Sequence, residues 1–373
     1  MYFLGQAGNF KAADILRHTF AFGTRQSLEQ LRAHLSERYQ VESPRVAFYQ
    51  TGRTALSAAI KATVPKNSKI AITSLTCYAV VQAVKAAHCV PIFVDVSPKT
   101  LHFGAPELRA TLKKYPDIKA IIVQNNLGIP VDITAIKRVA KGLVIIEDLA
   151  HCAGAAYPNG QEVGTVGDAT ILSFGKGKSI DAISGGALIL RNKTLPHPKE
   201  PLRRPKLSDS LRARFYPLIG ATIRGFYHIK LGRLFTSLML KLHFIQKSAD
   251  APLDFSRRLT YPQAKLALYQ LERLPKNRSP IREFYLVERR DELLKELESH
   301  GFIMYDIWYD TPVAPERYYK KANFPEDECP MAVKLSQQLV NLPTYYGEQA
   351  MVPARKIIKK YDVTSLIAKE VKK

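Results

Sequence analysis

Two lysines lie two residues apart in the stretch SFGKGKSIDAISGG, which runs from Ser173 to Gly186. A nucleotide-binding P-loop needs a glycine five positions before the glycine of its GKS triplet, and Leu172 stands there, so the stretch does not match that motif. A lysine just past a buried strand lies at the carboxyl edge of a sheet, where desolvation lowers the pKa of its amine and favours imine formation with a carbonyl. The local sequence alone favours a solvated basic turn, and the reactive amine is the second interpretation.

An acidic pair, Glu147 and Asp148, closes an apolar run in the stretch IIEDLAHCAGA at residues 145–155. An unpaired carboxylate is costly in a buried sheet, so one of these acids needs a cation: a metal ion, an arginine or a protonated heterocycle. His151 lies within reach of the same ligand. The run has too few His and Asp neighbours to favour a metal, and an acid that caps the next helix is the alternative interpretation.

A Thr-Gly-Arg turn at residues 51–53 opens the apolar helix of YQTGRTALSAAI. The amide groups and the dipole at a helix start bind phosphate, and Arg53 would add a positive charge; an ordinary helix start is the alternative. One ligand would join the three signals. Pyridoxal phosphate needs an amine, a carboxylate for its pyridinium nitrogen and a helix N-terminus for its phosphate.

The elements that must position these groups alternate along the chain. Strands are predicted for the β-branched apolar runs at 69–75, 90–96, 119–126, 143–149, 169–175 and 186–192. Helices are predicted between them at 54–64 and 78–88, and amphipathic helices follow at 261–274 and 281–302. This alternation predicts an α/β fold with a mainly parallel sheet and helices on both faces.

The 373-residue chain carries a formal net charge of +22, which predicts a negatively charged binding partner: nucleic acid, a phosphorylated substrate or an anionic membrane surface. No apolar run is long enough to span a bilayer, and the N-terminal stretch lacks the features of a secretion signal. The four cysteines form no CxxC pair, so we expect a reduced, cytoplasmic protein without a metal site. Three of them, with the lone tryptophan, are expected only to fill the core or the surface: Cys89, Cys152, Cys329 and Trp308.

A basic insert spans residues 195–250. Between residues 199 and 247 it holds eleven lysines and arginines against two acids. Apolar residues alternate with these charges, namely Phe215, Tyr216, Phe226, Tyr227, Leu234, Phe235, Leu238 and Leu242. Basic amphipathic stretches bind anionic surfaces, so peripheral contact with the inner face of the membrane is one interpretation. A helical excursion that packs on a partner subunit or over the active-site mouth is the other.

Seven stretches, in this order along the chain, resemble motifs of the DegT/StrS-type sugar aminotransferases, which are fold-type I pyridoxal-phosphate enzymes. They are TGRTAL (51–56), VPIFVDVSPKTLHF (90–103), NNLGIPVD (125–132), IIEDLAHCAGA (145–155), VGTVGDATILSFGKGKSIDAISGGAL (163–188), RRLTYPQAKLALYQLERL (257–274) and NLPTYYGEQ (341–349). The resemblance covers most of the chain but not the insert. It implies a large cofactor-binding domain over residues 1–250 and a smaller C-terminal α/β domain over residues 251–373.

The resemblance also implies roles for the matching positions. Lys178, four residues after the phenylalanine of the Ser-Phe pair, matches the Schiff-base lysine, and Asp148 matches the carboxylate that pairs with the pyridinium nitrogen. His151 matches a neighbour on the hydroxyl side of the ring. The other positions implied to contact the cofactor are Gly52, Arg53, Cys77, Tyr78, Ser173 and Ser256.

Three of these positions depart from the family pattern. Arg53 stands where the family often has threonine, and Cys77, beside Tyr78, stands where an aromatic residue often stacks on the cofactor ring. Ser256 falls near an asparagine that the family sends across a dimer to the partner's phosphate.

The resemblance implies a homodimeric transaminase that uses pyridoxal phosphate to move an amino group from a donor such as glutamate to a keto-sugar. That sugar is usually nucleotide-linked, and the products serve surface polysaccharide or amino-sugar biosynthesis. A family branch with histidine at the lysine position carries out dehydration, and Lys178 favours amine transfer instead. The alternatives are a different reaction on the same fold, either dehydration or amino-acid chemistry, or a non-catalytic regulatory protein that binds nucleic acid. The intact Lys178, Asp148 and Ser173 argue against the last, so we expect no nucleic-acid partner.

Overall fold

The computed structural model describes residues 2–4, 12–20, 22–201, 203–228, 231–242, 253–276, 280–304 and 307–364. Its strands, in chain order, are β1 (Tyr2–Phe3), β2 (Val46–Tyr49), β3 (Lys69–Thr73), β4 (Thr76–Cys77), β5 (Val90–Val94), β6 (Ile118–Val123), β7 (Val144–Asp148), β8 (Ala169–Ser173), β9 (Gly186–Leu190), β10 (Arg282–Leu286), β11 (Phe302–Ile303), β12 (Val313–Ala314) and β13 (Leu339–Pro343). Its α-helices are α1 (Ala12–Thr19), α2 (Arg25–Arg38), α3 (Gly52–Thr63), α4 (Tyr78–Ala86), α5 (Ala105–Lys114), α6 (Ile133–Val139), α7 (Leu207–His228), α8 (Gly232–Lys241), α9 (Tyr261–Leu271), α10 (Arg290–Ser299), α11 (Tyr319–Ala322), α12 (Pro330–Gln338) and α13 (Glu348–Ile358).

A seven-stranded sheet carries the site. Its strand order is β2-β9-β8-β7-β6-β3-β5. Strand β9 pairs antiparallel with both of its neighbours, and every other adjacent pair in this sheet is parallel. The carboxyl ends of the six remaining strands therefore meet at one edge of the sheet, where open α/β sheets bind their ligands.

Hydrophobic clusters cover both faces of this sheet. Neighbouring residues of one strand point to opposite faces, so Ile70 and Ile72 belong to one cluster and Ala71 to the other. Helices α3, α4 and α12 contribute to the first cluster, and helices α2, α5, α6 and α9 to the second. The predicted architecture, a mainly parallel sheet with helices on both faces, is confirmed.

The predicted strands all form, each ending about two residues earlier than the apolar run suggests. The helix predicted at 281–302 is wrong in its first part. Residues Arg282–Leu286 form β10, which pairs antiparallel with Leu339–Pro343, and helix α10 begins only at Arg290. Arg289 takes a left-handed backbone conformation with φ of 50°, which separates the strand from the helix. Pairing with a strand distant in sequence thus overrides the local helical period.

A third cluster surrounds the β10–β13 pair. It holds buried residues of α10 and α13, and it includes Leu4 from the start of the chain. Strand β1 pairs with β11, so the first residues of the chain pack with its last third. Strand β12 pairs with β4 and brings the segment after residue 307 to the carboxyl edge of the large sheet.

The basic insert forms two helices, α7 and α8. The rings of Phe226 and Phe235 stack with centroids 4.5 Å apart and join the two helices. Arg214 of α7 donates to the carbonyl of Thr19 at the end of α1, 2.5 Å away, so α1 packs on the insert. Residues 243–250 of the predicted insert and the side chain of Tyr227 lie outside the described part of the chain. Within the described part, no helix combines the length and apolar character needed to cross a membrane.

Candidate active site

Three strand ends and one helix start meet at the carboxyl edge of the sheet. Strand β7 ends at Asp148, β8 ends at Ser173, and β2 ends just before the turn that opens α3 at Gly52. Ser173 pairs with Gly186 of β9, which also pairs with the last residue of β2. The fold therefore brings the predicted lysine loop, carboxylate and phosphate turn to one place.

Lys178 and His151 are in direct contact. The Nζ atom of Lys178 lies 2.9 Å from Nε2 of His151. The backbone N–H of Leu127 donates to Nδ1 of the same ring at 3.3 Å, so Nδ1 accepts and a neutral imidazole carries its proton on Nε2. That N–H then donates to the lysine nitrogen, which can accept only as a neutral amine.

The electrostatic surroundings favour this neutral pair. Burial lowers the pKa of Lys178, and the guanidinium of Arg282 lowers it further, against opposing effects of Cys77, Asp148 and Asp181. Burial, with the charges of Lys178 and Arg282, holds the pKa of His151 well below its usual value. A lysine whose pKa is lowered holds more of its neutral form, which is the nucleophile and the base.

Asp148 is a buried carboxylate without a cation among its described contacts. Only 5 % of it is exposed, and its Oδ1 accepts the backbone N–H of Ala150 at 2.9 Å. Burial raises the pKa of Asp148 to about 6, in spite of the Ala150 hydrogen bond and the positive charge of Lys178. Such a carboxylate is suited to a protonated ring nitrogen, which would supply the missing charge.

The neighbouring acid has a different role. Glu147 is fully buried, and its two oxygens accept four hydrogen bonds, from the hydroxyl of Tyr157 and from the backbone N–H groups of Gly164, Val166 and Gly167. These donors satisfy the carboxylate without a ligand. Of the acidic pair, Glu147 therefore has a structural role, and Asp148 is the carboxylate that could bind a ligand.

His151, Trp308 and Arg282 form a stack beside Lys178. The indole of Trp308 stacks on the His151 ring with centroids 4.6 Å apart, and the guanidinium of Arg282 lies 4.2 Å from the Trp308 centroid. The Nζ atom of Lys178 lies 5.0 Å from the same indole. Arg282 is fixed by hydrogen bonds to the carbonyl of Leu4 and to Oδ1 of Asn341, both at 2.9 Å. Trp308 belongs to the buried core, as expected, and it also borders the amine of Lys178.

Asp181 shapes the lysine loop. Its carboxylate accepts the N–H of Gly177 at 2.8 Å and that of Ile183 at 3.0 Å, and burial raises its pKa to about 6. Lys176, the other lysine of the loop, lies over the ring of Tyr216 in α7, 3.7 Å from its centroid, and burial lowers the pKa of Lys176 to about 8. The loop is thus an ordered, partly buried turn and not a solvated one, and the insert contacts it.

The predicted phosphate turn has glycines at positions where a side chain would not fit, and this leaves an anion cradle. A Cβ atom on Gly52 would lie 2.6 Å from Cβ and Oγ of Ser173, and one on Gly186 would lie 2.6 Å from the Cα of Gly52. The side chain of Thr51 caps α3 by accepting the N–H of Thr54 at 3.1 Å. The amide of Gly52, at the first position of the helix, has no partner within the helix and is placed to bind an anion. Ser173 accepts the N–H of Gly175 at 3.4 Å, which leaves its own proton to donate.

Two other residues predicted to contact the cofactor make no direct contact with the Lys178–His151 pair among the described interactions. Arg53 is buried and donates to Oε1 of Gln82 at 2.5 Å. Cys77 precedes the first residue of α4 and affects the pKa of Lys178 electrostatically.

Tyr78 and Ser256 have partners of their own outside the Lys178–His151 pair. The ring of Tyr78 stacks on Tyr318, with centroids 4.7 Å apart. Ser256 is exposed, and its hydroxyl donates to Asp254 at 2.6 Å.

The residues present fit pyridoxal phosphate. Lys178 offers an amine of lowered pKa, Asp148 a buried carboxylate with no ion pair among the described residues, and the start of α3 with Ser173 an anion cradle that a single Cβ would fill. Among the neighbours that the sequence did not indicate, Asp181 could have been suspected from its place three residues after Lys178. Arg282 and Trp308 carry no local signal, because only the packing of the last third of the chain brings them here.

An α/β fold with a lysine of lowered pKa and a buried carboxylate at its sheet edge fits the class of pyridoxal-phosphate enzymes, and comparison with known proteins gives the family. Residues 40–351 match the model of the DegT/DnrJ/EryC1/StrS aminotransferase family. The chain belongs to this family, as the sequence motifs predicted.

Individual relatives match over most of the chain. A GDP-perosamine synthase from Caulobacter vibrioides is 26% identical over 311 residues, which cover 79% of each chain. A pleiotropic regulatory protein from Geobacillus stearothermophilus is 26% identical over 303 residues, covering 79% of this chain and 78% of the relative. Among solved structures, a protein from Streptococcus pneumoniae described as a sugar aminotransferase, in its PLP-form, has the same fold with a TM-score of 0.66, 17% identity and coverage of 97% and 98%.

Proposed function

We propose that this aminotransferase uses pyridoxal phosphate to transfer an amino group from an amino acid, such as glutamate, to a keto-sugar carried on a nucleotide. The observation that carries the proposal is the Lys178 amine, whose Nζ lies 2.9 Å from His151 and whose pKa is lowered by burial, near the buried carboxylate of Asp148. The family match, the synthase relative and the PLP-form neighbour support the same conclusion. The products would serve amino-sugar or surface polysaccharide synthesis.

The chain's residues divide the binding of the cofactor between them. Lys178 would hold its aldehyde through Nζ, Asp148 its ring nitrogen, and Ser173 with the first amides of α3 its phosphate. When bound, pyridoxal phosphate supplies a carbonyl that condenses with amines and an aromatic ring that takes up an electron pair. Asp148 would keep the ring nitrogen protonated, because a buried carboxylate is stabilised by an adjacent positive charge.

Lys178 then moves the proton. The amine of the donor would first displace Nζ from the aldehyde carbon. The freed Nζ would then take a proton from the α-carbon of the donor and return one on the product side, which is general acid–base work worth about 10²–10⁴-fold in rate. The Nε2–H of His151 donates to the lone pair of Nζ and fixes the direction of the amine. Trp308 covers the other side of His151 and holds the imidazole in this orientation.

We also propose a homodimer with the active site at the interface. The exposed position of Ser256 suits contact with a partner subunit, which is the role suggested by its place in the sequence. Cys77 and Tyr78 lie at the start of α4 and would border the cofactor ring. We place the protein in the cytoplasm, with residues 199–247 in contact with the inner face of the membrane.

A second candidate function is regulation through nucleic-acid binding. The net charge of +22 and the similarity to a pleiotropic regulatory protein favour it, while the preserved Lys178 and Asp148 favour catalysis. Half-reactions with glutamate, and product masses from a panel of keto-nucleotide-sugars, distinguish the two. An aminated sugar formed by the wild type and absent with Lys178→Ala supports the transaminase. DNA binding that falls steeply with salt, in a protein that gives no aminated product, would establish the regulator instead.

A further inference from the structure

Helices α7 and α8 each expose a row of large apolar side chains. On α7 the row is spaced by three or four residues and consists of Leu207, Leu211, Phe215 and Leu218. The row that starts and ends beside α8 has the same spacing and consists of Leu231, Leu234, Leu238 and Leu242. Residues spaced in this way lie on one side of a helix. Leu207 is 75% exposed and Leu234 is 70% exposed, so these rows face solvent and not the core.

The end of α1 extends this surface. Leu16, Phe20 and Phe22 are all more than half exposed. Arg214 of α7 holds this segment in place, because it donates to the carbonyl of Thr19 and its guanidinium lies 4.7 Å from the centroid of the Phe22 ring. We define the apolar layer as these three residues together with the rows of α7 and α8.

Exposed large apolar side chains are concentrated in the apolar layer and are rare on the rest of the described surface. Outside it, the large exposed apolar side chains of the described residues are Tyr2, Val90 and Val352. Eleven of the fourteen therefore lie on α1, α7 and α8 or within three residues of their ends, and α7 packs against both α1 and α8. A concentrated apolar surface of this kind marks a site of interaction with a partner or a membrane.

Charge decides which occupant fits. Exposed cations accompany the apolar layer at Arg203, Arg204, Lys206 and Lys241, and a fifth, Arg233, is paired with Glu298 at 3.1 Å. Between residues 199 and 247 the chain has eleven basic residues and two acids. A second copy docked on the same surface would bring the same positive charge against it, whereas acidic phospholipids would neutralise it while their acyl chains receive leucine and phenylalanine.

We propose that the apolar layer docks on an anionic lipid surface, with α7 and α8 lying in the plane of the headgroups. The proposal rests on the location given under the proposed function and adds to it the docking residues and the lipid chemistry. Tyr216 of α7 lies against Lys176 of the lysine loop, so docking would hold that loop close to the lipid surface.

Vesicle sedimentation of the full-length protein with its cofactor tests the proposal. We expect binding to phosphatidylcholine vesicles that contain about 30% phosphatidylglycerol, and binding about tenfold weaker to phosphatidylcholine alone. The double variant Leu234→Glu/Leu238→Glu should lose about tenfold in binding to the anionic vesicles. The matched control Val90→Glu/Val352→Glu, which adds the same charge at exposed apolar sites elsewhere, should bind almost as the wild type does.

Equal binding to both kinds of vesicle, an absence of binding, or an equal loss in the control variant would overturn the proposal. So would a change of sedimentation coefficient from dimer to monomer in Leu234→Glu/Leu238→Glu, since that outcome identifies the layer as a subunit contact. The visible absorption of the bound cofactor and the formation of aminated sugar are measured on the same samples. Failure of the vesicle experiment with intact absorption and activity would count against docking alone, and loss of both in the wild type would count against the proposed catalysis.

Discussion

The amine of Lys178 lies 2.9 Å from Nε2 of His151, and the backbone N–H of Leu127 requires that imidazole to donate through Nε2. In this arrangement Nζ of Lys178 accepts the hydrogen bond as a neutral amine. The neutral amine is the form that nucleophilic attack and proton abstraction need. Two residues that are 27 positions apart in the chain thus meet at the sheet edge.

The first prediction separates the two lysines of the loop. Burial lowers the pKa of both, and that of Lys176 to about 8, so either amine could react with an aldehyde. We expect Lys178→Ala to abolish covalent attachment of pyridoxal phosphate and Lys176→Ala to retain it, because only Lys178 contacts His151. Borohydride reduction followed by peptide mass measurement locates the adduct. An adduct on Lys176 in the wild type would refute the assignment.

The second prediction concerns the stability of the cofactor-free protein. The pKa of Asp148 rises from 3.8 to about 6 on folding, so the folded state favours its protonated form. Stability from this group is therefore present at low pH and is lost as pH rises through the window from 3.8 to about 6. The full loss is about 3 kcal/mol.

The variant Asp148→Asn lacks this titration. Compared with the wild type, it should become relatively more stable by about 3 kcal/mol between pH 4 and pH 7, as measured by urea unfolding of the cofactor-free proteins. Bound cofactor should remove the difference by pairing the carboxylate. Parallel pH profiles for the two proteins would show that Asp148 is not destabilised by its burial.

The third prediction tests the anion cradle. In Gly52→Ala the new Cβ would lie 2.6 Å from the side chain of Ser173, so one of them must move. Overpacking of this kind costs about 1–3 kcal/mol, and we expect about tenfold or greater loss of pyridoxal phosphate affinity in equilibrium titrations. Gly225→Ala is the matched control, because nothing lies within 4 Å of its added Cβ. An unchanged affinity in Gly52→Ala would remove the cradle from the site.

The fourth prediction concerns Arg282. Its positive charge lowers the pKa of Lys178, so Arg282→Gln should raise that pKa. The rate at which trace acetic anhydride acetylates Lys178 in the cofactor-free protein, followed by peptide mass, should then reach its midpoint at higher pH. Arg282→Lys retains the charge and should leave the midpoint nearly unchanged. A midpoint that moves equally in both variants would indicate a packing effect and not a charge effect.

Much of the fold could be predicted from local patterns. The strands of the large sheet are buried on both faces, so each is a short apolar run, and the groups that follow Asp148 and Ser173 meet because parallel strands share a carboxyl edge. The helix predicted at 281–302 is wrong in its first part, because β10 depends on a partner strand more than fifty residues away, which a local pattern does not show.

The site was predictable only where one stretch of chain supplies it. Lys178, Asp148 and Gly52 lie in recognisable motifs, whereas Trp308 and Arg282 reach the site through the packing of strands β10 and β12 with the rest of the chain. The domain boundary at residue 250, the catalytic roles of the site residues and the partner contact of Ser256 stay predictions.

Lys178 belongs to the connection between β8 and β9, which run in opposite directions. A link between parallel strands must cross the sheet and return, whereas this one only turns back on itself. Both of its ends are tied at one rung, where Ser173 faces Gly186. The position of the Lys178 amine is therefore set by the length of this loop, which is fixed at both ends. A residue inserted between 174 and 185 would be expected to move Nζ although every binding and reacting side chain is retained.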